Sequence, residues 1–200
     1  LLNSIIKSWG SIPKIFEEMK NISSPNKTLK EFKKLITNQS KIYDLQEDDT
    51  TLSNKFKGDI FEVFVAFMLM SNTCNTKFGL SGYVIPPKSD DYGVDGCGVN
   101  VNGDITVVQC KYKTNKMDLV TYNEVSSLMV DGVCNFNLDA NKDNNLFLIT
   151  TGTASTCFKK FWSKNNRMVV IDTPKIEKQV DNNYNFWEWC HKYILTLQKP

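Results

Sequence analysis

From Leu52 to Met70 the chain places apolar side chains at Phe56, Ile60, Phe61, Phe64, Phe67 and Met68, and this spacing of three and four predicts a helix buried over most of its surface. Shorter amphipathic patterns precede it. Residues 1 to 9 read as a helix ending near Gly10, and residues 11 to 20 as a second, with Pro13 in its first turn and apolar positions at 12, 16 and 19. After the polar turn 21 to 26, Thr28-Leu29-Lys30-Glu31 has capping-box spacing and predicts a third helix to about Ile36, followed by a polar stretch through Thr51. Beyond Met70 the period changes. Tyr83-Val84-Ile85, ended by Pro86-Pro87, reads as a short strand, and the runs 105 to 110, 146 to 150 and 168 to 171 are β-branched and apolar on both faces, as strands covered by helices are. Between them, Thr121-Tyr122-Asn123-Glu124 is expected to cap a helix to about Asp131 with Gly132 as its stop. Residues 135 to 145 form a polar connector, and Ala154 to Trp162 reads as helical. Thr173 and Pro174 suit a cap and first turn, and a last helix from about Asn185 to Leu195 carries Phe186, Trp187, Trp189 and Tyr193 as core rather than ligand platform. Strand–helix alternation of this kind predicts an α/β fold with a mixed β-sheet flanked by helices and an N-terminal helical region.

The register of one hairpin decides where side chains meet. Asn102-Gly103 is a strong turn signal, because both residues tolerate positive φ. A three-residue loop, Val101 to Gly103 with Gly103 left-handed, pairs Asn100 with Asp104 and puts Asp95 opposite Gln109. A two-residue loop instead puts Asp95 opposite Cys110 and turns it to the other face, unless a bulge compensates. On the returning strand Gln109 and Lys111 share a face by period-2 alternation.

Composition narrows the setting. Two hundred residues at 41% hydrophobic suffice for one ordinary domain with a small appendage, and a formal charge of +2 neither demands nor excludes nucleic acid. The cysteines at 74, 97, 110, 134, 157 and 190 include no CxxC pair and the one histidine is His191, so a structural zinc site is not expected; buried, reduced thiols and a cytoplasmic setting are. No apolar run of 18 residues occurs, so no membrane partner is expected, and the N-terminus is too short and polar for a signal peptide. A chain that opens on leucine suggests a domain cut from a longer protein, and abundant Asn and Lys suggest an AT-rich genome, as in a virus or phage.

The candidate chemistry lies between Gly93 and Lys113. Asp95 beside Gln109 and Lys111 is an arrangement for holding a metal ion next to a phosphate, and Gly93, Gly96 and Gly98 around Asp95 suit a bent strand end open to a bulky ligand. Lys113 and Lys116 extend the basic side. Glu62 interrupts the most apolar helix, with Gly58 and Ala66 on its face; it reads as a third acidic contributor, as a carboxylate that positions one, or as a core-edge glutamate paired with a lysine. Lys27, Lys30 and Lys34 can share one helix face, more often a solvated surface than a DNA contact.

At these residues the chain resembles the PD-(D/E)XK nuclease superfamily, and within it the Mrr-like restriction endonuclease group, including nuclease domains fused to helicases. That group carries G-(I/V)-D-G before a Q-x-K or E-x-K strand, here Gly93-Val94-Asp95-Gly96 and Gln109-Cys110-Lys111, and a G-x-x-F-E helix, here Gly58 to Glu62. Phe147 to Thr151 looks like the group's next core strand. The resemblance covers about Gly58 to Ile171, and the first 50 residues carry no part of it. It implies a restriction-endonuclease-like nuclease domain over 51 to 200 behind an N-terminal helical extension over 1 to 50.

The implied activity is Mg²⁺-dependent DNA endonuclease cleavage, with Mn²⁺ as substitute. Asp95, Gln109, the Cys110 carbonyl and Glu62 would serve as metal ligands, Lys111 would act at the scissile phosphate, and Lys113 and Lys116 would lie on the DNA backbone. Gln109 supplies no charge, so metal affinity would lean on Asp95 and Glu62. Lys111 would act as a base only with a strongly lowered pKa. The implied partners are DNA, a helicase or translocase in the same polypeptide, and a second copy in a homodimer. The alternative is an inactive nuclease-like domain that binds DNA or docks a protein.

Overall fold

The computed structural model describes residues 1–23, 25–44, 50–74, 78–86, 93–136, 138, 145–156 and 168–198. The chain divides into two compact units, neither of which breaks at residue 50. One comprises Leu2–Asn75 and Glu177–Pro200, the other Thr76–Ile176 with Leu1.

The helical unit is built from α1 (Leu2–Ser8), α2 (Ile12–Asn21), α3 (Leu29–Asp44), α4 (Thr51–Met70) and the C-terminal helix α7 (Tyr184–Leu197). The apolar positions expected at 12, 16 and 19, and at 56, 60, 61, 64, 67 and 68, are all buried. Phe16, Phe32, Phe64, Phe67, Phe186 and Trp187 form a continuous aromatic centre; Trp187 lies 5.4 Å from Phe32 and 5.9 Å from Phe64 between ring centroids. Rings at such separations add edge and offset-stacking attraction to the large area they remove from water. No helix among the described residues is long and apolar enough to cross a membrane.

Two expectations change within this unit. Helix α3 continues eight residues past Ile36, because Ser40 and Tyr43 prolong its buried stripe and Tyr43 packs on Trp9 and Phe56. Its start follows the sequence, with the Thr28 hydroxyl accepting the Glu31 N–H. Lys27 does not share a solvated face with Lys30 and Lys34: it is buried, and its ammonium donates to the carbonyls of Met19 and Lys20 at the end of α2 and lies over the Tyr184 ring. A cation there satisfies carbonyls that the last helical turn leaves unbonded. Loss of hydration holds its pKa below the usual lysine range.

The sheet unit contains β1 (Ser81–Val84), β2 (Gly96–Val99), β3 (Ile105–Lys111), β5 (Leu146–Thr150) and β7 (Met168–Ile171), in spatial order β1-β2-β3-β5-β7. β1–β2 and β2–β3 are antiparallel; β3–β5 and β5–β7 are parallel, so the sheet is mixed. A two-stranded parallel pair joins β4 (Leu119–Val120) to β6 (Thr153–Ala154). After β7 comes helix α6 (Thr173–Val180). Val107, Leu146, Leu148 and Met168 on one sheet face form a core with Val94, Val120, Val125, Leu128 and Ala154.

The helix expected to stop at Gly132 runs through it. A π-helical turn, Leu128–Gly132, passes into Val133–Asn135 (together α5), and Gly132 is helical at φ −61°. A Cβ there would stand 3.2 Å from Val94 Cγ2, so Gly132 serves close packing rather than termination. Ala154, expected in a helix, is in β6; residues 157–162 of that expected helix, and Cys157, lie outside the described residues.

Candidate metal and phosphate site

The hairpin loop is the three-residue form. Val99 pairs with Ile105 and the Asn100 N–H bonds to the Asp104 carbonyl at 2.9 Å, with Gly103 left-handed at φ +83°. The Asn100 side chain holds it: Oδ1 accepts the N–H groups of Asn102 and Asp104 at 2.9 and 3.1 Å. Such a short side-chain acceptor competes with the ladder and sets the turn locally.

This register carries β2 back to a last regular pair, Gly96 with Val108. Asp95 then bends out of the ladder. Its N–H bonds to the carbonyl of the same Val108 at 2.8 Å, and its carboxylate accepts the N–H of Cys110 at 2.6 Å. A charge-assisted bond of that length fixes the carboxylate on the peptide nitrogen between Gln109 and Lys111. The alternation of backbone groups along β3 sends the Cys110 carbonyl to the same side as its N–H. Asp95, Gln109, Cys110 and Lys111 are thus brought together.

Gln109 is the anomaly among them. It is 3% exposed, and no described residue donates to its Oε1. A buried amide oxygen without a donor costs roughly 1–3 kcal/mol, which makes it a marker for a ligand. Lys111 is half-buried, and among the described residues its ammonium has no hydrogen-bond or ion-pair partner. A carboxylate, an amide oxygen and a peptide carbonyl form an all-oxygen donor set, which fits a hard divalent cation. No group of three or more His, Cys, Asp or Glu side chains that could hold a metal occurs among the described residues, so the charge of this set comes from Asp95.

The glycines do not leave open room for a ligand. The position a Cβ would take at Gly96 is filled by the Tyr83 phenol, at Gly98 by Leu80 Cβ (2.9 Å), and at Gly93 (φ +75°) by the Ser127 side chain. Their lack of side chain lets β1 and the segment before α5 close on the bent strand.

Lys113 and Lys116 differ. The Lys113 ammonium is ion-paired with Glu124 at 2.6 Å, whereas Lys116 is exposed. Glu124 also accepts from the Thr121 N–H (2.9 Å) and hydroxyl (3.1 Å), which is one half of the expected capping arrangement. Burial pushes the Glu124 carboxyl up, but the bonds from Lys113 and Thr121 together hold it below the usual glutamate range. With the folded-state pKa depressed, the network contributes stability above the unfolded value of about 4.3 and loses it as pH falls through the lower folded value. The Thr121 amide resonance is therefore expected to titrate at a pH below the ordinary glutamate range, and to lose its titration in Glu124→Gln. A wild-type midpoint at or above that range would show that the network does not form.

Glu62 belongs to the helical unit, half-buried on α4. Of the cysteines, Cys190 is buried, Cys74, Cys97 and Cys110 are half-buried and Cys134 is exposed, so the expectation of buried thiols is met in full at Cys190 and not at Cys134; none of these five forms a disulfide among the described residues. Burial raises the Cys74 thiol to about 11 and pushes the Cys97 thiol above its ordinary value, so both stay protonated at neutral pH.

No family model, no curated protein and no solved structure matches this chain. The site must therefore be judged on its own chemistry.

Proposed function

We propose that the chain is a metal-dependent deoxyribonuclease of the PD-(D/E)XK type that hydrolyses phosphodiester bonds of DNA, acting as an endonuclease, and that works within a larger helicase or restriction protein. The observation that carries this reading is the buried Gln109 oxygen, without a donor among the described residues, on the residue next to the Cys110 N–H that anchors the Asp95 carboxylate. Asp95, Gln109 and the Cys110 carbonyl would hold Mg²⁺, or Mn²⁺ in its place. The chemistry supplied at such a site is Lewis-acid polarisation of the phosphate and acidification of a bound water.

This chain's residues do the rest. The hydrogen bond from the Cys110 N–H fixes the rotation of the Asp95 carboxylate, so the group is oriented before any ligand arrives. Lys111, on the same strand face as Gln109, places its ammonium against the scissile phosphate, where negative charge grows in the transition state, and orients the attacking water by donating to it. Lys116 contacts the flanking backbone without reading sequence, and Lys113 can join it only by exchanging Glu124 for a phosphate.

The test is cleavage of supercoiled, linear and single-stranded DNA in Mg²⁺ or Mn²⁺ against EDTA. Cutting that EDTA abolishes is the expected result. If nothing is cut, a calorimetric Mn²⁺ titration decides: binding leaves a competent site that needs its motor or a second copy, and its absence removes the nuclease reading.

A further inference from the structure

Three hydroxyls hold the backbone of the three lysines that lead away from the site. Thr150 Oγ1 donates to the carbonyl of Lys111, Thr151 Oγ1 to that of Lys113 and Thr153 Oγ1 to that of Lys116, each at 2.8 Å. Regular pairing of β3 with β5 ends at Lys111 and Thr150. Beyond it, side chains make the rungs that the backbone no longer can: Thr151 Oγ1 also accepts the Lys113 N–H at 2.7 Å, and Thr150 Oγ1 accepts the Gly152 N–H at 3.0 Å.

The holding segment is itself held. Thr150 and Thr151 are fully buried, and Thr173 Oγ1, which sequence suggested as a helix cap, donates instead to the Thr151 carbonyl at 2.7 Å. Gly152 completes the fit, because a Cβ there would meet Lys113 Cγ at 2.8 Å and the Asp118 carbonyl at 2.5 Å. The lysine stem lies across the glycine. A strand that merely ran out into a surface loop would satisfy these carbonyls with water, at no cost in buried hydroxyls. Holding them with protein removes motion from the backbone that carries Lys111 and Lys116.

We propose that Thr150, Thr151 and Thr153 form a clamp that fixes the backbone of Lys111, Lys113 and Lys116, with Thr150 as the positioning residue for Lys111. The inference rests on the nuclease reading for its purpose, though not for its geometry. Lys111 needs a fixed stem because a displacement of about 1 Å at a reacting group costs on the order of a hundredfold in rate.

The test compares Thr150→Val, Thr150→Ser and Thr153→Val with wild type in metal-dependent DNA cleavage, and follows the Lys111 side-chain order by NMR in lysine-labelled protein. Thr150→Val is expected to lower kcat by about ten- to a hundredfold with KM within about twofold, and to loosen Lys111. Thr150→Ser keeps the hydroxyl and is expected to recover kcat to within about threefold. Thr153→Val breaks an exposed bond, and is expected to raise KM about two- to threefold through Lys116. Full kcat with unchanged Lys111 order in Thr150→Val overturns the clamp, as does a serine variant no better than valine. If wild type cuts nothing and binds no Mn²⁺ while Thr150→Val still loosens Lys111, the clamp stands and the nuclease reading falls.

Discussion

Asp95→Ala is expected to abolish metal-dependent DNA cleavage, and Lys111→Ala to lower it by about a hundred- to a thousandfold, the loss typical of removing one group that stabilises transition-state charge. The two variants fail differently. Asp95 supplies the charge of the oxygen set, so its loss takes away metal affinity as well as activity; Lys111 acts at the phosphate, so its variant keeps a normal Mn²⁺ titration. Gln109→Met separates site from scaffold. It removes a buried oxygen that no described residue donates to, so the metal-free protein is expected to be no less stable than wild type, and more stable by about 1 kcal/mol where the methionine packs. Its Mn²⁺ affinity should nevertheless fall. A less stable Gln109→Met protein with unaltered Mn²⁺ binding would show that the amide belongs to the scaffold.

Trp187→Ala is expected to destabilise the protein by about 3–5 kcal/mol, the largest effect of any single truncation in the helical unit. The indole is fully buried against Phe16, Phe32, Phe64 and Phe186, and its N–H donates to the Val180 carbonyl at 2.9 Å. Truncation leaves a cavity the size of the lost rings and a carbonyl without its donor, and the two costs add. For a chain of this length that lowers the melting midpoint by roughly 10 °C or more. Leu195, on the same helix but 46% exposed, is the control: Leu195→Ala should change stability by no more than about 0.5 kcal/mol. Urea midpoints of the two variants measure the difference, and equal midpoints would mean that the aromatic centre is not close-packed.

Much of the candidate site was legible because it is local. Asn100, Asn102 and Gly103 set the hairpin through bonds spanning four residues, and the loop in turn sets which residue β2 brings up to Cys110. Strand alternation then put Gln109 and Lys111 on one face. What was misread depended on partners far away in sequence. Gly96 and Gly98 looked like room for a ligand until Tyr83 and Leu80 were seen to fill it, and Gly132 looked like a helix stop until Val94 was found against it. Lys27 looked solvated, yet the end of α2 offered it carbonyls. Glu124 read only as a capping residue, whereas Lys113 approaches it from 11 residues upstream.

The hydrophobic period by itself determined the buried faces of α2 and α4, the bounds of β5 and β7 and the mixed α/β class, because each follows from backbone geometry and the transfer of apolar surface out of water. Turn chemistry determined the hairpin register for the same local reason. Only the tertiary structure decided that the N-terminal helices and α7 make one unit while residues 76 to 176 make another, since no short-range pattern encodes which distant faces bury each other. It also decided that the Gln109 oxygen is buried without a donor among the described residues, and that three threonines some 38 residues downstream grip the backbone of Lys111, Lys113 and Lys116. A hydroxyl can bond almost any carbonyl within reach, and reach is a property of the folded chain.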